Sequence, residues 1–269
     1  MKITAVHVET LELQMEEPFV IASSALAVSP CDLGRVDEAR GLLDRLEELR
    51  AVAPTETASI CPDLVRGRLA LVAGDLATAT RHLEAAYEWG KARSFADLVY
   101  APPVSLARAE LSVSAEAGGE ARWASALRRM QDVLAAAPKF GQLDRYAGEV
   151  YTQFARALWR TGQLEQAKTW ADKAETWFES RPNHLRAPEL HALLALLTIA
   201  TGATGAKPAK GAEAVRLRAL GLATRARALV RQQGESFAGA EDRAAFYRAH
   251  AANEMLAGEP MLAEASART

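Results

Sequence analysis

Side chains that could carry out catalysis are scattered along this 269-residue chain and form no compact motif. The histidines are the first candidates, since imidazole is both a common metal ligand and a general base. They are His7, His82, His184, His191 and His250. His184 and His191 lie two helical turns apart, too far to share a metal without a third ligand, and we interpret His191 as a packing residue. No zinc-protease, serine-hydrolase or phosphate-loop motif occurs, so we expect no enzyme, metal or cofactor.

Binding residues are better supported, and the clearest group is a tryptophan between two arginines. Arg156, Trp159 and Arg160 lie about one turn apart on a predicted helix, on a face that its apolar stripe leaves free. Tryptophan and arginine dominate interface energetics because each buries a large surface and makes directional contacts. We predict that these residues anchor a partner. The alternative is that the arginines are solvated and Trp159 is half-buried against the next helices.

Composition is that of an ordinary soluble protein. The chain is 49% hydrophobic and 25% charged, and its net charge of −2 gives no reason to expect a nucleic-acid or membrane surface. No apolar run approaches the ~20 residues of a membrane span. Cys31 and Cys61 suit a reducing compartment, and Glu9 and Glu12 stand where a secretory signal would be apolar. We therefore expect a cytoplasmic protein.

A recurring glycine organises the chain. Gly34, Gly74, Gly119, Gly162 and Gly202 follow one another at intervals of 40, 45, 43 and 40 residues. After each of the first four comes a segment that begins polar and becomes rich in alanine and leucine. A repeat of this length is one helix–turn–helix unit that cannot bury its apolar face alone, so the units must stack. The sequence therefore predicts an all-α solenoid.

One unit shows the alternation of large and small residues most clearly. Its members are Tyr151, Phe154, Ala155, Leu158, Gly162, Ala167, Ala171 and Ala174. This order resembles the tetratricopeptide repeat, and Gly67, Gly74, Ala79, Leu83 and Ala86 follow it in an earlier unit. The resemblance implies a right-handed α-solenoid over residues 25–258, with about five helix pairs and a capping helix from Glu241 to Leu256. The spacing exceeds the ~34 residues of a standard repeat, so helices or loops must be longer.

The resemblance also implies a binding surface. The first helix of each tetratricopeptide pair lines a concave face, and the matching positions here include Arg156, Trp159 and Arg160, with Arg68 in an earlier unit. The family's carboxylate clamp has lysine and asparagine where this chain has Thr152 and Arg156. This departure argues against recognition of a chaperone tail, whereas an acidic or phosphorylated peptide could still meet the arginines.

Breaks between units are expected where proline or glycine is concentrated. Ala101–Pro103 and Ser180–Asn183 are predicted to separate helices, since proline cannot continue one. Gly202–Gly211 is predicted to be a flexible loop. The basic stretch Lys207–Arg231 flanks an apolar face on both sides, which favours a solvated rim over a nucleic-acid patch. Residues 259–269 are expected to form a frayed tail.

The first 24 residues follow a different pattern. Ile3, Val6 and Val8 begin an alternation of apolar and polar residues that predicts a strand. This opening resembles the N-terminal strand of enolase-superfamily enzymes, which makes an enzyme fragment a remote alternative. Nothing after Ser24 continues that resemblance.

Two functional hypotheses follow. Ala226–Ala257 is similar to the closing region of tetratricopeptide arrays in bacterial multidomain signalling proteins. The first hypothesis is a non-catalytic scaffold or adaptor that binds a protein partner, as a peptide or helix, on the concave face. The second is a ligand-sensing module of a bacterial signalling or transcriptional regulator. End-to-end self-association is a further expectation, because solenoid ends need polar capping.

Overall fold

The computed structural model describes residues 31, 35–52, 61–181, 184–205, 210–236, 239–240 and 243. Every regular element among these residues is helical, which confirms the all-α prediction. The helices with defined bounds are α1 Val36–Val52, α2 Pro62–Val72, α3 Leu76–Arg93, α4 Ala96–Leu111, α5 Gly119–Phe140, α6 Leu143–Arg160, α7 Leu164–Glu179, α8 Ala187–Gly205 and α9 Lys210–Glu235. Within this described part, no helix is both long and apolar enough to span a bilayer.

Several predicted segments lie outside the described residues. They are the strand-like segment 1–24, the tail 259–269, and the capping helix apart from Arg243. The described residues divide into two compact units. The first holds those up to Ala86 and those from Gly234 onward, and the second holds Tyr87–Gln233.

In the first unit, α1 packs against α2 around a small apolar core of Leu46 and Val65. Helix α2 also lies very close to α3, because a Cβ added at Gly67 would stand 2.5 Å from Cγ of Leu83. A glycine at this position therefore lets the two helices approach. Gly74, in the turn between α2 and α3, has φ +76°, a conformation that glycine adopts without strain.

In the second unit, helices pack in a regular order. Helix α4 contacts α5 and α6, and α6 in turn contacts α7 and α8. Large buried side chains from these helices form one core, which includes Tyr100, Met130, Phe154, Leu158 and Leu193. Helix α6 is central to this unit, since α4, α5, α7 and α8 all pack against it.

The predicted break at Ala101–Pro103 is wrong. Pro102 and Pro103 lie inside α4, although a proline in a helix interior costs ~3 kcal/mol. Helix α4 is buried on nearly all sides, and both prolines are buried with it. Tertiary packing therefore outweighs the local preference, while Ser105 donates its hydroxyl to the carbonyl of Ala101 at 2.7 Å.

The other two predicted interruptions have different outcomes. Ser180 lies between α7 and α8, as expected. The predicted loop Gly202–Gly211 is wrong for all of its described residues, because α8 continues to Gly205 and α9 begins at Lys210. A Cβ at Gly202 would stand 2.5 Å from Cγ1 of Val215, so this glycine allows α8 and α9 to pack closely and does not form a turn.

Candidate functional site

The structure groups three of the four predicted anchor residues. Arg156, Trp159 and Arg160 occupy the last turns of α6, where Arg156 is only 3% exposed and the other two are partly buried. Arg68 lies in α2 and belongs to the other compact unit. The sequence therefore located a polar group at the end of α6, but it did not reveal how deeply Arg156 is buried.

Trp159 contacts the apolar core on two sides. Its indole packs against the main core of the second unit and against Ala195, Leu196 and Ala223 of α8 and α9. This half-buried position is the one that the alternative interpretation of Trp159 predicts. The indole of Trp159 therefore takes part in helix packing.

Arg160 lies against two tryptophans. Its guanidinium is 4.7 Å from the ring centroid of Trp159 and 5.0 Å from that of Trp123. Trp123, from α5, is itself held by a hydrogen bond from Nε1 to the carbonyl of Val113 at 2.9 Å. Stacking on aromatic faces orients the guanidinium, whose donors are arranged to hydrogen-bond in its plane.

Arg156 makes few and long hydrogen bonds. Its Nη2 donates to the carbonyl of Leu111 and to Oγ of Ser112, both at 3.4 Å. Its Nε is buried and has no hydrogen-bond partner among the described residues. A buried guanidinium with an unsatisfied donor is costly, because its hydration has been lost without replacement.

A network of ion pairs, which the sequence analysis missed, lies beside Arg156. Arg108 of α4 donates from Nη2 to Glu149 of α6 at 2.9 Å and from Nε to Glu189 of α8 at 3.1 Å. Glu189 also accepts from Gln153 Nε2 at 2.9 Å and from Arg186 Nη1 at 3.2 Å. Side chains of α4, α6 and α8 therefore meet on one side of the unit.

This arginine–glutamate cluster has more positive than negative charge. Its members are Arg108, Glu149, Gln153, Arg156, Arg186 and Glu189. Among the described residues of the cluster, three arginines face two glutamates, and the positive charge of Arg160 also acts on Arg156. The excess falls on Arg156, because Arg108 and Arg186 each have a carboxylate partner.

The pKa values reflect this imbalance. Burial lowers the pKa of Arg156 to about 9; Glu189 opposes this shift, while Arg160 and Arg108 add to it. Burial alone would raise the pKa of Glu189, but Arg108, Arg186 and Arg156 lower it to about 2. Near neutral pH Arg156 and Glu189 are therefore both charged.

His184 and His191 do not form a site together. His191 is 5% exposed, and burial, with a further contribution from Arg225, lowers its pKa to about 4. The ring of His184 packs against Trp177 and Phe178, and burial lowers its pKa as well. In the described part of the chain, no three histidine, cysteine, aspartate or glutamate side chains are grouped to hold a metal ion.

One sequence signal could have revealed the cluster. Arg108 and Glu189 each stand within a helix whose neighbouring residues are almost entirely apolar and buried. A charge in such a context is seldom buried without a partner of opposite sign. The sequence alone does not identify the partner, because Arg108 and Glu189 are 81 residues apart.

Comparison with known proteins adds no family assignment. No model of a known protein family matches the chain, and a search of curated proteins finds no significant match. The tetratricopeptide resemblance therefore stays a prediction.

Proposed function

We propose that the protein is a non-catalytic interaction scaffold, built as a right-handed tetratricopeptide-like solenoid, that binds a peptide or helix on its concave face. The packing order supports this architecture. Helices α4 and α6 each contact the helix that follows and the one after it. This is the order expected when the first helix of each pair packs against its own partner and against the first helix of the next pair.

The observation that carries the proposed function is the polar cluster shared by α4, α6 and α8. These are the first helices of successive pairs, and such helices line the concave face of a solenoid. Arg108 reaches Glu149 and Glu189, so it joins all three helices on one side. Arg160 and its two tryptophans lie at the end of the same α6 helix. Arginine and tryptophan together supply the charge and contact area that interface anchors need.

Affinity capture with the intact chain, followed by binding measurements on the purified partner, tests this proposal. We expect the Arg160→Ala variant to bind about tenfold or more weakly, since a charge-assisted contact of ~1.5–3 kcal/mol is removed. Arg93→Ala is the matched control, because Arg93 also stacks on an indole, that of Trp89 at 4.4 Å, but belongs to α3. Equal affinities of the two variants would contradict the proposed surface.

A ligand-sensing module is the second candidate. It is favoured by two buried polar atoms that have no hydrogen-bond partner among the described residues, Oε1 of Gln153 and Nε of Arg156. A small molecule that inserts beside α6 would satisfy both. A thermal-shift screen with metabolites tests it, since a ligand at 100 times its Kd adds ~2.7 kcal/mol of stability. No stabilising metabolite in a broad screen would argue against it.

The proposed location is the cytoplasm. Cys31 and Cys61 are both buried thiols, as expected in a reducing compartment. A role in bacterial signalling and end-to-end association of the solenoid are further parts of the proposal. Sedimentation at several protein concentrations tests the association, because a self-stacking solenoid gains mass as concentration rises.

A further inference from the structure

We propose that Arg156 and Arg160 form a subsite for an oxyanion, the phosphate or carboxylate group of a bound partner. The inference names the chemistry of the partner and rests on the proposed function, since it takes this end of α6 as part of the binding surface. Three observations support it: the contacts of Arg156, the charge balance around it, and the geometry of Arg160.

The contacts of Arg156 differ from those of its buried neighbours. Arg108 and Arg186 both donate to carboxylate oxygens at 3.2 Å or less. Within the described part of the chain, Arg156 donates only to neutral acceptors, a backbone carbonyl and a hydroxyl, both at 3.4 Å. Its buried Nε has no acceptor among the described residues. The side chain therefore has unused capacity to donate hydrogen bonds to an anion.

The charges around Arg156 favour the binding of a negative group beside its guanidinium. Glu189, the carboxylate that raises the pKa of Arg156, already accepts hydrogen bonds from Arg108 and Arg186, while the positive charges of Arg160 and Arg108 lower that pKa. A buried charge without a counter-charge is unfavourable, and the lowered pKa of Arg156 reflects that cost. A bound anion would supply the missing charge.

Arg160 provides the second guanidinium group of the subsite. Residues four apart lie on the same face of a helix, so both guanidinium groups extend from one side of α6. The guanidinium of Arg160 lies over the rings of Trp123 and Trp159, which hold it near the end of α6. A planar guanidinium fits the two oxygens of a carboxylate or phosphate, which favours these anions over halides. An oxyanion bound between the two guanidinium groups would be attracted to both and would offset their mutual repulsion.

Thermal unfolding of the full chain in inorganic phosphate, at fixed pH and at ionic strength matched with sodium chloride, tests the subsite. We expect the melting temperature of the wild type to rise saturably with phosphate concentration. Acetate serves as the carboxylate probe in a parallel titration. Arg156→Met should unfold at the same or a higher temperature without anion, and should bind phosphate at least about tenfold more weakly. Arg93→Ala should respond like the wild type.

Two results would overturn the subsite: no saturable effect of either anion on the wild type, or an undiminished effect on Arg156→Met. If Arg156→Met does not fold, Arg160→Gln replaces it, since a partly exposed guanidinium is easier to remove, and it too should weaken phosphate binding. Phosphate binding that Arg156→Met abolishes, together with no peptide or protein partner, would support the subsite and contradict the scaffold. If a partner binds with the same affinity in the presence and absence of phosphate, and equally to the wild type and to Arg156→Met, the scaffold would be supported and the subsite contradicted.

Discussion

Arg66 in the first unit and Arg156 in the second show how differently two helical arginines can be placed. The side chain of Arg66 is 37% exposed and donates to Glu47 at 2.6 Å and to Asp63 at 3.2 Å. Burial alone would lower its pKa, but these two carboxylates raise it. Arg156 is almost fully buried, has no carboxylate partner among the described residues, and has a pKa lowered to about 9.

The comparison separates two uses of the same residue type. Arg66 satisfies its charge within its own unit, as part of a solvent-exposed ion-pair group whose contribution to stability is small. Arg156 is buried without a hydrogen bond to a carboxylate among the described residues, and the charge of Glu189 offsets the cost of its burial only in part. Such an arginine contributes little to stability by itself, and we infer that its role lies in binding.

The substitution Arg108→Met tests this contrast and is expected to have the largest effect on stability. It leaves Glu149 and Glu189 without their shared cation, and removing one partner of a buried ion pair costs about 3–5 kcal/mol. Urea unfolding of the full chain would measure the loss. A loss as small as that of Arg66→Met would show that the cluster is not a tightly coupled network.

A second test extends the contrast to histidine. His82 of the first unit has Asp63 as a partner at 2.8 Å. His191 is buried, and its Nδ1 has no hydrogen-bond partner in the part of the chain that the structure describes. Because burial lowers the folded pKa of His191 to about 4, folding favours the neutral ring. Its contribution is fully present above the unfolded pKa of ~6.5 and is lost as pH falls from there towards 4.

We therefore expect the free energy of unfolding to decrease by about 2 kcal/mol from pH 7 to pH 5 through His191. In the His191→Gln variant this part of the decrease should disappear, while the smaller contribution of His184, shifted in the same direction, remains. Denaturant unfolding at each pH provides the measurement. An unchanged pH profile in the variant would mean that His191 does not titrate in this way.

A third test is Arg156→Met without any added anion. Replacing a buried, uncompensated charge by an apolar side chain of similar length should leave stability unchanged or raise it by about 1 kcal/mol. Urea unfolding in chloride buffer measures it, with Arg108→Met as the opposite case. A loss of several kcal/mol would show that Arg156 is a structural residue whose charge is compensated within the fold.

The smallest effect is expected for Arg66→Met. An ion pair exposed to this degree contributes about 0.5 kcal/mol, and that contribution should shrink in 1 M salt. Unfolding in low and high salt would check it. A salt-independent loss above about 2 kcal/mol would remove the contrast between the two units.

The sequence predicted the helices better than the site, for a physical reason. Glycine at the turns and apolar stripes along the helices are local signals, so the all-α class and the polar end of α6 could be predicted. The break predicted at the prolines of α4 was wrong, because the packing that tolerates these prolines comes from other helices. Arg156 donates a hydrogen bond to Ser112, 44 residues away, and no local pattern encodes such a contact.

The most direct test of the central claim is to observe the Nε–H group of Arg156 by nitrogen-15 NMR while phosphate is added to the full chain. Its signal is assigned by its loss in Arg156→Met, and sodium chloride at equal ionic strength serves as the control. The account predicts a saturable shift of the Arg156 signal with phosphate and none with chloride. An Arg156 signal that phosphate leaves unchanged, or that shifts only in proportion with exposed arginines such as Arg93, would contradict it.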